Sequence, residues 1–191
     1  SDLYASGLND QTIAAMGITS LDGMGLAIGV QGAMHAKSAY AAHGYAIPYF
    51  DANGTIICNR YKLFWTIPSK DQPKYLSSYN QETHLYIPPG FDAVSSKHDY
   101  VIITEGEKKA AKAVQEGIPC VALGGVHMWA DTHGRTIDKM MGRGMSYLTK
   151  PLKALEQIAK TKKIIVVFDS DSAQNIQVQA ARYTLKDALL Y

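Results

Sequence analysis

Residues 100–107 read Tyr-Val-Ile-Ile-Thr-Glu-Gly-Glu, and residues 164–171 read Ile-Ile-Val-Val-Phe-Asp-Ser-Asp. In each stretch a short apolar run leads directly into acidic residues. A run of this kind, without polar alternation, is typical of a strand in a parallel sheet that is covered on both faces. Functional groups in such sheets lie just beyond the carboxyl ends of the strands, where Glu105, Asp169 and Asp171 fall. We therefore predict an α/β fold with a central parallel sheet flanked by helices.

The three carboxylates can converge on one small volume. Asp169 and Asp171 are two positions apart and leave their strand on the same side, and Glu105 reaches them from another strand. Carboxylates packed together repel one another unless a cation neutralises them, and oxygen-only donors favour Mg2+ or Mn2+ over zinc. The pattern predicts a metal site suited to phosphoryl chemistry, in which all three residues are catalytic and metal-binding. For either motif alone, solvated loop carboxylates are the alternative interpretation.

Composition places the chain among globular proteins. It has 191 residues, 47% of them hydrophobic, and a net charge of +2, which suits one domain or two small ones. No stretch approaches the ~20 apolar residues of a membrane span and no signal pattern starts the chain, so we expect a cytoplasmic protein. Cys58 and Cys120 have no partner at ligand spacing and predict neither a disulfide framework nor a zinc site. Residues 107–163 contain eleven basic and five acidic residues, and this local excess of positive charge favours a polyanionic partner.

The first half of the chain carries a hairpin signal. Asn53-Gly54 lies between two β-rich runs, residues 45–50 and 55–65, and predicts a two-stranded antiparallel hairpin. Residues 68–78 have the composition of a loop. We expect this part to form a small α+β subdomain.

Helix signals organise the second half. A helix is predicted from residue 105 to about residue 116, where Gly117 ends it, and a second strand follows at 119–123. The apolar spacing over 173–190 predicts a final helix. Residues 127–162 are longer than a crossover requires and form either an inserted lid or a helix pair.

This order of elements resembles the Toprim domain over roughly residues 99–191. Toprim is the metal-binding core shared by bacterial replicative primases, type IA and II topoisomerases, and some recombination and nuclease proteins. The resemblance implies that Glu105 is the general acid/base or a metal-linked glutamate and that Asp169 and Asp171 are metal ligands. Gly106 and Lys108 are further predicted nucleotide- or DNA-binding residues, because Gly106 lets the backbone come close to the site and the helix start there favours bound anions.

A second resemblance concerns the preceding residues. An apolar-Pro strand, an Asp-x-x-Gly turn at 51–54, a strand containing Arg60, and Pro-Lys-Tyr-Leu-x-Ser at 73–78 together are similar to the small subdomain that precedes Toprim in bacterial replicative primases. In that family, basic residues of the subdomain contact the template backbone or the nucleoside triphosphate. The implied nucleotide- or DNA-binding residues are Arg60 and Lys74, with Lys62 and Tyr75 as weaker neighbours.

Two motifs depart from the replicative primases. The first reads Glu-Gly-Glu rather than Glu-Gly-Tyr, and the second continues Asp-Ser-Asp-Ser-Ala-Gln where those primases usually have Asp-x-Asp-x-Ala-Gly. Both variants resemble a less characterised Toprim family in replication proteins of phages, plasmids and integrated elements, often joined to a helicase. This chain has no Gly-x-x-x-x-Gly-Lys-Ser/Thr loop, so an associated helicase would lie outside it.

The resemblance implies a DNA-dependent primase core, a nucleotidyltransferase that makes short primers on single-stranded DNA in phage, plasmid or mobile-element replication. The implied partners are the single-stranded template, nucleoside triphosphates, Mg2+ or Mn2+, and a replicative helicase, covalent or separate, without a membrane. Residues 1–98 would be the primase-like subdomain and 99–191 the Toprim domain, which we expect to be truncated because no fourth strand follows the last helix. A Toprim metal-dependent nuclease and a non-catalytic nucleic-acid-binding initiator module are the alternatives.

Overall fold

The computed structural model of the protein describes residues 1–32, 36–130, 151–169 and 176–190. The chain forms two compact units: a hairpin unit, Ile13–Gln81, and a parallel-sheet unit made of Ser1–Thr12 and Glu82–Tyr191. These bounds differ from the predicted division between residues 98 and 99, and that assignment of domains stays a prediction.

The described elements are, in chain order, as follows. The helices are α1 (Asp2–Ala5), α2 (Asp10–Ala15), α3 (Gly23–Gly29), α4 (Phe91–Ser95), α5 (Glu107–Gln115), α6 (Lys153–Ala159) and α7 (Ile176–Leu190), with a 3-10 helix at Ala36–Ala41. The strands are β1 (Thr19–Leu21), β2 (Ala42–Phe50), β3 (Ile56–Trp65), β4 (Tyr75–Ser77), β5 (Tyr100–Glu105), β6 (Cys120–Leu123) and β7 (Lys163–Val167).

The hairpin unit is built on an antiparallel sheet in the order β1-β2-β3-β4. The predicted hairpin is confirmed as β2 and β3. In its turn the Asp51 carboxylate accepts hydrogen bonds from the backbone N–H groups of Asn53 and Thr55, at 2.8 and 2.9 Å. Gly54 adopts a φ of 79°, a conformation that glycine reaches without steric cost.

One face of this sheet is the core of the hairpin unit. Tyr61 and Leu63 of β3 are buried and pack with Leu26 and Val30 from the region of α3. Residues alternate along a strand, so Arg60, Lys62 and Phe64 lie on the opposite face. The alternation of residues along β3 therefore gives the strand one buried face, with Tyr61 and Leu63, and one basic face, with Arg60 and Lys62. We call the second the basic face of the sheet.

Two short strands were not predicted. Residues 68–78 were interpreted as a loop, yet Tyr75 and Leu76 pair with Lys62 and Tyr61 of β3 as the antiparallel strand β4. Likewise Thr19–Leu21, for which no strand was predicted, pairs with β2. Each is a three-residue strand beside a long neighbour, so pairing rather than intrinsic pattern determines it.

The parallel-sheet unit contains the predicted parallel sheet, with strand order β6-β5-β7. The central strand β5 pairs in parallel with both neighbours: Ile102 is the partner of Cys120 on β6 and of Ile165 on β7. Strand β6 also contacts the segment before α4: Tyr86 and Ala122 exchange two backbone hydrogen bonds of 2.9 Å in an antiparallel bridge. The α/β fold class is therefore confirmed.

Helices cover this sheet unequally. The core joins the strands to helices α4 to α7 through Phe91, Val114, Leu155 and Leu185, all buried. Helix α5 packs against β5 and β6, and Gly117, with a φ of 78°, follows its end as predicted.

Strand β7 differs from its prediction. Its apolar run was expected to be buried on both faces, but the residues Ile165 and Val167 are 45% and 48% exposed. The alternating burial along β7 shows that one face packs on the core and the other does not. The reason is position, since β7 is an edge strand of the described sheet and α5 lies over the other two strands.

Some predictions fall outside the described residues. Asp171 is among them, as are residues 131–150 of the predicted insertion and the predicted start of the last helix at 173–175. From residue 176 onward that helix is confirmed, with Ala181 and Leu185 buried. None of the described helices is long and apolar enough to cross a membrane.

Candidate metal and nucleotide site

Two of the three predicted carboxylates lie at one edge of the parallel sheet. Thr104 of β5 pairs with Val167 of β7; Glu105 is the next residue on β5, and Asp169 is two residues beyond Val167. Parallel strands end at the same edge, so both carboxylates leave the sheet together. Glu105 is half-buried and Asp169 is exposed. The roles assigned to them stay predictions, and the third carboxylate, Asp171, lies outside the described residues.

Gly106 connects the end of β5 to the start of α5. Its φ of 94° and ψ of 131° belong to a region that side chains rarely reach, and its N–H donates to the Leu123 carbonyl at 3.0 Å. A Cβ built on Gly106 would have no heavy atom within 4 Å. The backbone conformation, rather than a lack of space, therefore requires glycine directly beside Glu105.

Glu107 is a buried carboxylate that was not among the predicted site residues. It is the first residue of α5 and only 2% exposed. Its position in the first turn is favourable because the helix dipole stabilises negative charge there. Tyr86 is 1% exposed; burial raises the pKa of its hydroxyl, and the negative charge of Glu107 raises it further. In the sequence, Glu107 is visible only as the second glutamate of the Glu-Gly-Glu motif. Its burial depends on contacts with residues distant in the sequence, which the motif does not reveal.

The two lysines that follow make different contacts. Lys108 donates to the Asp2 carboxylate at 2.8 Å, and its side chain is only 17% exposed. Lys109 forms an ion pair with Asp169, and each side chain is 51% exposed. Lys108, predicted to contact nucleotide, thus holds the N-terminal segment in this structure, whereas Lys109, not predicted as a site residue, contacts a proposed metal ligand.

Other basic groups of this unit also have intramolecular partners. Lys112 pairs with Glu116 one turn along α5 at 2.5 Å, which lowers the pKa of the Glu116 carboxyl. Lys162 donates to the carbonyl of Ser95, the last residue of α4, at 2.9 Å and to the His98 carbonyl at 2.5 Å. The excess of basic residues over residues 107–163 is therefore larger than the positive charge that is available to bind a polyanion.

In the hairpin unit, three of the four predicted binding residues lie together on the basic face of the sheet. The Lys62 ammonium is 4.4 Å from the centre of the Tyr75 ring and 5.5 Å from that of Phe64, and the Arg60 guanidinium carbon is 5.2 Å from the Tyr75 ring. The fourth residue, Lys74, is exposed and directly precedes β4. Cations beside aromatic rings suit the binding of single-stranded nucleic acid, because its bases stack on aromatic rings and its phosphates pair with positively charged side chains.

The donors at the sheet edge suit a hard cation in their chemistry. Glu105 and Asp169 offer only carboxylate oxygens, the ligands that Mg2+ and Mn2+ prefer. Within residues 1–32, 36–130, 151–169 and 176–190, no group of three or more His, Cys, Asp or Glu side chains is placed to hold a metal ion. A site that includes Asp171 would fit such an ion by its donor set.

A family model with the description "Domain of unknown function (DUF3854)" matches residues 92–190, just over half of the chain. None of the curated proteins matches the sequence.

Solved structures similar to this chain are primases. The zinc-binding and RNA polymerase domains of the Aquifex aeolicus primase align over 98% of this chain and 44% of that chain, at 15% identity and a TM-score of 0.56. The primase fragment of the bacteriophage T7 primase-helicase protein aligns over 97% and 57%, at 17% identity and a TM-score of 0.48. The RNA polymerase domain of Mycobacterium tuberculosis primase DnaG aligns over 97% and 74%, at 11% identity and a TM-score of 0.48.

The likeness to the Aquifex aeolicus structure shows that the chain has the fold of a primase core. The chain spans less than half the length of that structure.

Proposed function

We propose that this chain, which belongs to the DUF3854 family, is the core of a DNA primase that joins nucleotides into short primers on single-stranded DNA. The observation that carries the proposal is the pair Glu105 and Asp169, which leave one edge of the parallel sheet in a primase-like fold. By the sequence resemblance, that sheet would belong to a Toprim domain. The motif variants further suggest replication of a phage, plasmid or other mobile element.

The site would work through its carboxylates. Glu105, Asp169 and Asp171 would hold Mg2+ or Mn2+, which when bound neutralises phosphate charge and orients the phosphates. Glu105, which precedes Gly106 at the strand end, would organise the site or accept a proton from the attacking hydroxyl. The buried Glu107 would add negative potential beneath the site and strengthen cation binding.

The hairpin unit would bind the polyanion. Arg60 and Lys62 present two cations on one face, Tyr75 offers a ring for stacking, and Lys74 is exposed nearby. Phosphate contacts would supply affinity without reading sequence. Lys108 could reach a nucleotide only after releasing Asp2, so Lys108 is the weakest of the proposed contacts.

The proposed partners follow from the same account. They are single-stranded DNA template, nucleoside triphosphates and a replicative helicase, on the same chain or separate.

The proposal is tested by following primer synthesis and template integrity together. The protein is incubated with single-stranded DNA, labelled nucleoside triphosphates and Mg2+ or Mn2+, with and without chelator, beside Glu105→Gln and Lys74→Ala. Short products that require metal and are lost in Glu105→Gln support a primase, with Lys74→Ala reducing yield. Template cleavage without synthesis would contradict the primase proposal and indicate a metal-dependent nuclease. DNA binding that resists chelator and yields no products would contradict it and indicate a binding module.

A further inference from the structure

Asp169 is already paired with a cation of this chain. Its carboxylate contacts the ammonium of Lys109, the third residue of α5. Both residues lie at the sheet edge where the proposed metal ligands are found. A cation therefore occupies part of the coordination space of a residue expected to bind metal.

This ion pair can open at little cost. Each side chain is 51% exposed, and a pair of this kind changes an equilibrium by about fivefold or less. A divalent cation held by several carboxylates would displace the ammonium readily. Because the lysine stem is flexible, the released ammonium would stay within reach of groups bound to the metal.

Lys109 differs in this respect from the other lysines of α5. Lys108 is largely covered and bound to Asp2, and Lys112 pairs with Glu116 at the far end of the helix. Lys109, by contrast, joins α5 to a carboxylate of the proposed site.

We propose that Lys109 is a phosphate-binding residue that Asp169 holds in place until metal binds. When the Asp169 carboxylate becomes a metal ligand, the Lys109 ammonium binds the phosphate oxygens of the metal-bound nucleotide. Once the metal neutralises the Asp169 carboxylate, the phosphate oxygens replace it as the anionic partner of the Lys109 ammonium. This inference rests on the proposed function and adds a substrate contact to its site.

The inference is tested by two equilibrium measurements on Lys109→Met, with Lys112→Met as the matched control. The first is the affinity for Mn2+ alone, by calorimetry, and the second is the affinity for ATP at saturating Mn2+, by competition with a fluorescent nucleotide. We expect Lys109→Met to bind Mn2+ about two- to fivefold more tightly, since the competing cation is gone. We expect it to bind ATP about tenfold more weakly, since a charge-assisted contact is lost.

The control variant should match wild type in both measurements, and Lys109→Arg should recover part of the ATP affinity. Unchanged ATP affinity in Lys109→Met, or a loss equal to that of Lys112→Met, would overturn the inference, as would a wild type that binds no ATP. Primer synthesis measured in parallel separates the two proposals. Synthesis by wild type together with unchanged ATP affinity in Lys109→Met would reject the lysine contact and leave the primase.

Discussion

Thr104 of β5 and Val167 of β7 are partners in a parallel ladder, and an acidic residue follows each of them within two positions. This register brings Glu105 and Asp169, 64 positions apart in the sequence, to one edge of the sheet. The position of the site is therefore set by strand pairing, while its detailed chemistry depends on α5, which begins immediately after β5.

Replacing Gly106 by alanine should lower stability and primer synthesis together. Its φ of 94° imposes a backbone cost of about 1–3 kcal/mol on alanine, although the space around it is open. Gly117→Ala is the matched control, because it has a φ of 78° and equally open surroundings at the other end of α5. Urea denaturation should show both to be destabilised. Primer synthesis per folded molecule should fall only in Gly106→Ala, and an equal fall in both would contradict the assigned role of Gly106.

Gly44→Ala should disrupt the hairpin unit. A Cβ at Gly44 would lie 1.9 Å from the Lys62 carbonyl oxygen, a backbone atom fixed by the pairing of β2 with β3. We expect a loss of about 3 kcal/mol or more in the free energy of unfolding, at the upper end of overpacking effects. Gly54→Ala in the open hairpin turn should lose only about 1 kcal/mol from its positive φ. Thermal denaturation of the two variants would disprove this reading if their midpoints coincided.

Glu107→Ala should be far more destabilising than Glu116→Ala. Glu107 is buried near Tyr86, whereas Glu116 is an exposed surface residue. Removing a buried polar partner costs about 1–3 kcal/mol, and an exposed ion pair is worth about 0.5 kcal/mol. The free energies of unfolding in urea provide the test. Similar values for both variants would show that the Glu107 carboxylate contributes little to the fold.

Cys120 should react with thiol reagents only after unfolding. Burial raises the pKa of its thiol from an ordinary value of 9.0 to about 12, so almost no thiolate exists at pH 8 in the folded protein. Mass spectrometry after a short iodoacetamide pulse should find Cys58, which is half-buried, modified ahead of Cys120.

The same shift predicts a pH dependence of stability. Because the folded pKa lies above the unfolded one, the contribution of Cys120 is complete below pH 9 and is lost as the pH rises towards 12. Cys120→Ala should therefore flatten the decline in the free energy of unfolding over that range. An unchanged decline, together with labelling of Cys120 at the rate of Cys58, would mean that the thiol is not buried.

Much of the fold follows from local sequence. The apolar runs predicted β5 and β7, Asn53-Gly54 predicted the β2–β3 hairpin, and Gly117 predicted the end of α5. Each signal resides in contiguous residues, whose periodicity or turn conformation does not depend on distant partners. The carboxyl-edge position of Glu105 and Asp169 followed from the same runs.

The remaining features depend on tertiary contacts. The burial of Glu107 beside Tyr86 joins residues 21 positions apart, and the pairing of Lys109 with Asp169 joins residues 60 apart. The open face of β7 depends on which strand lies at the sheet edge, which an apolar run does not reveal. These contacts determine the electrostatics of the site, so the sequence located the site more reliably than it identified every residue in it.

The central claim is that the carboxylates at this sheet edge hold the metal for nucleotidyl transfer. The direct measurement is the rate of primer synthesis by Asp169→Asn compared with Asp99→Asn. Asp99 is an 80% exposed carboxylate that precedes β5, at the opposite edge of the same sheet. We predict a loss of about 100-fold or more for Asp169→Asn, since a metal ligand is removed, and a change within about twofold for Asp99→Asn. Equal rates in the two variants, with both folded, would contradict the account.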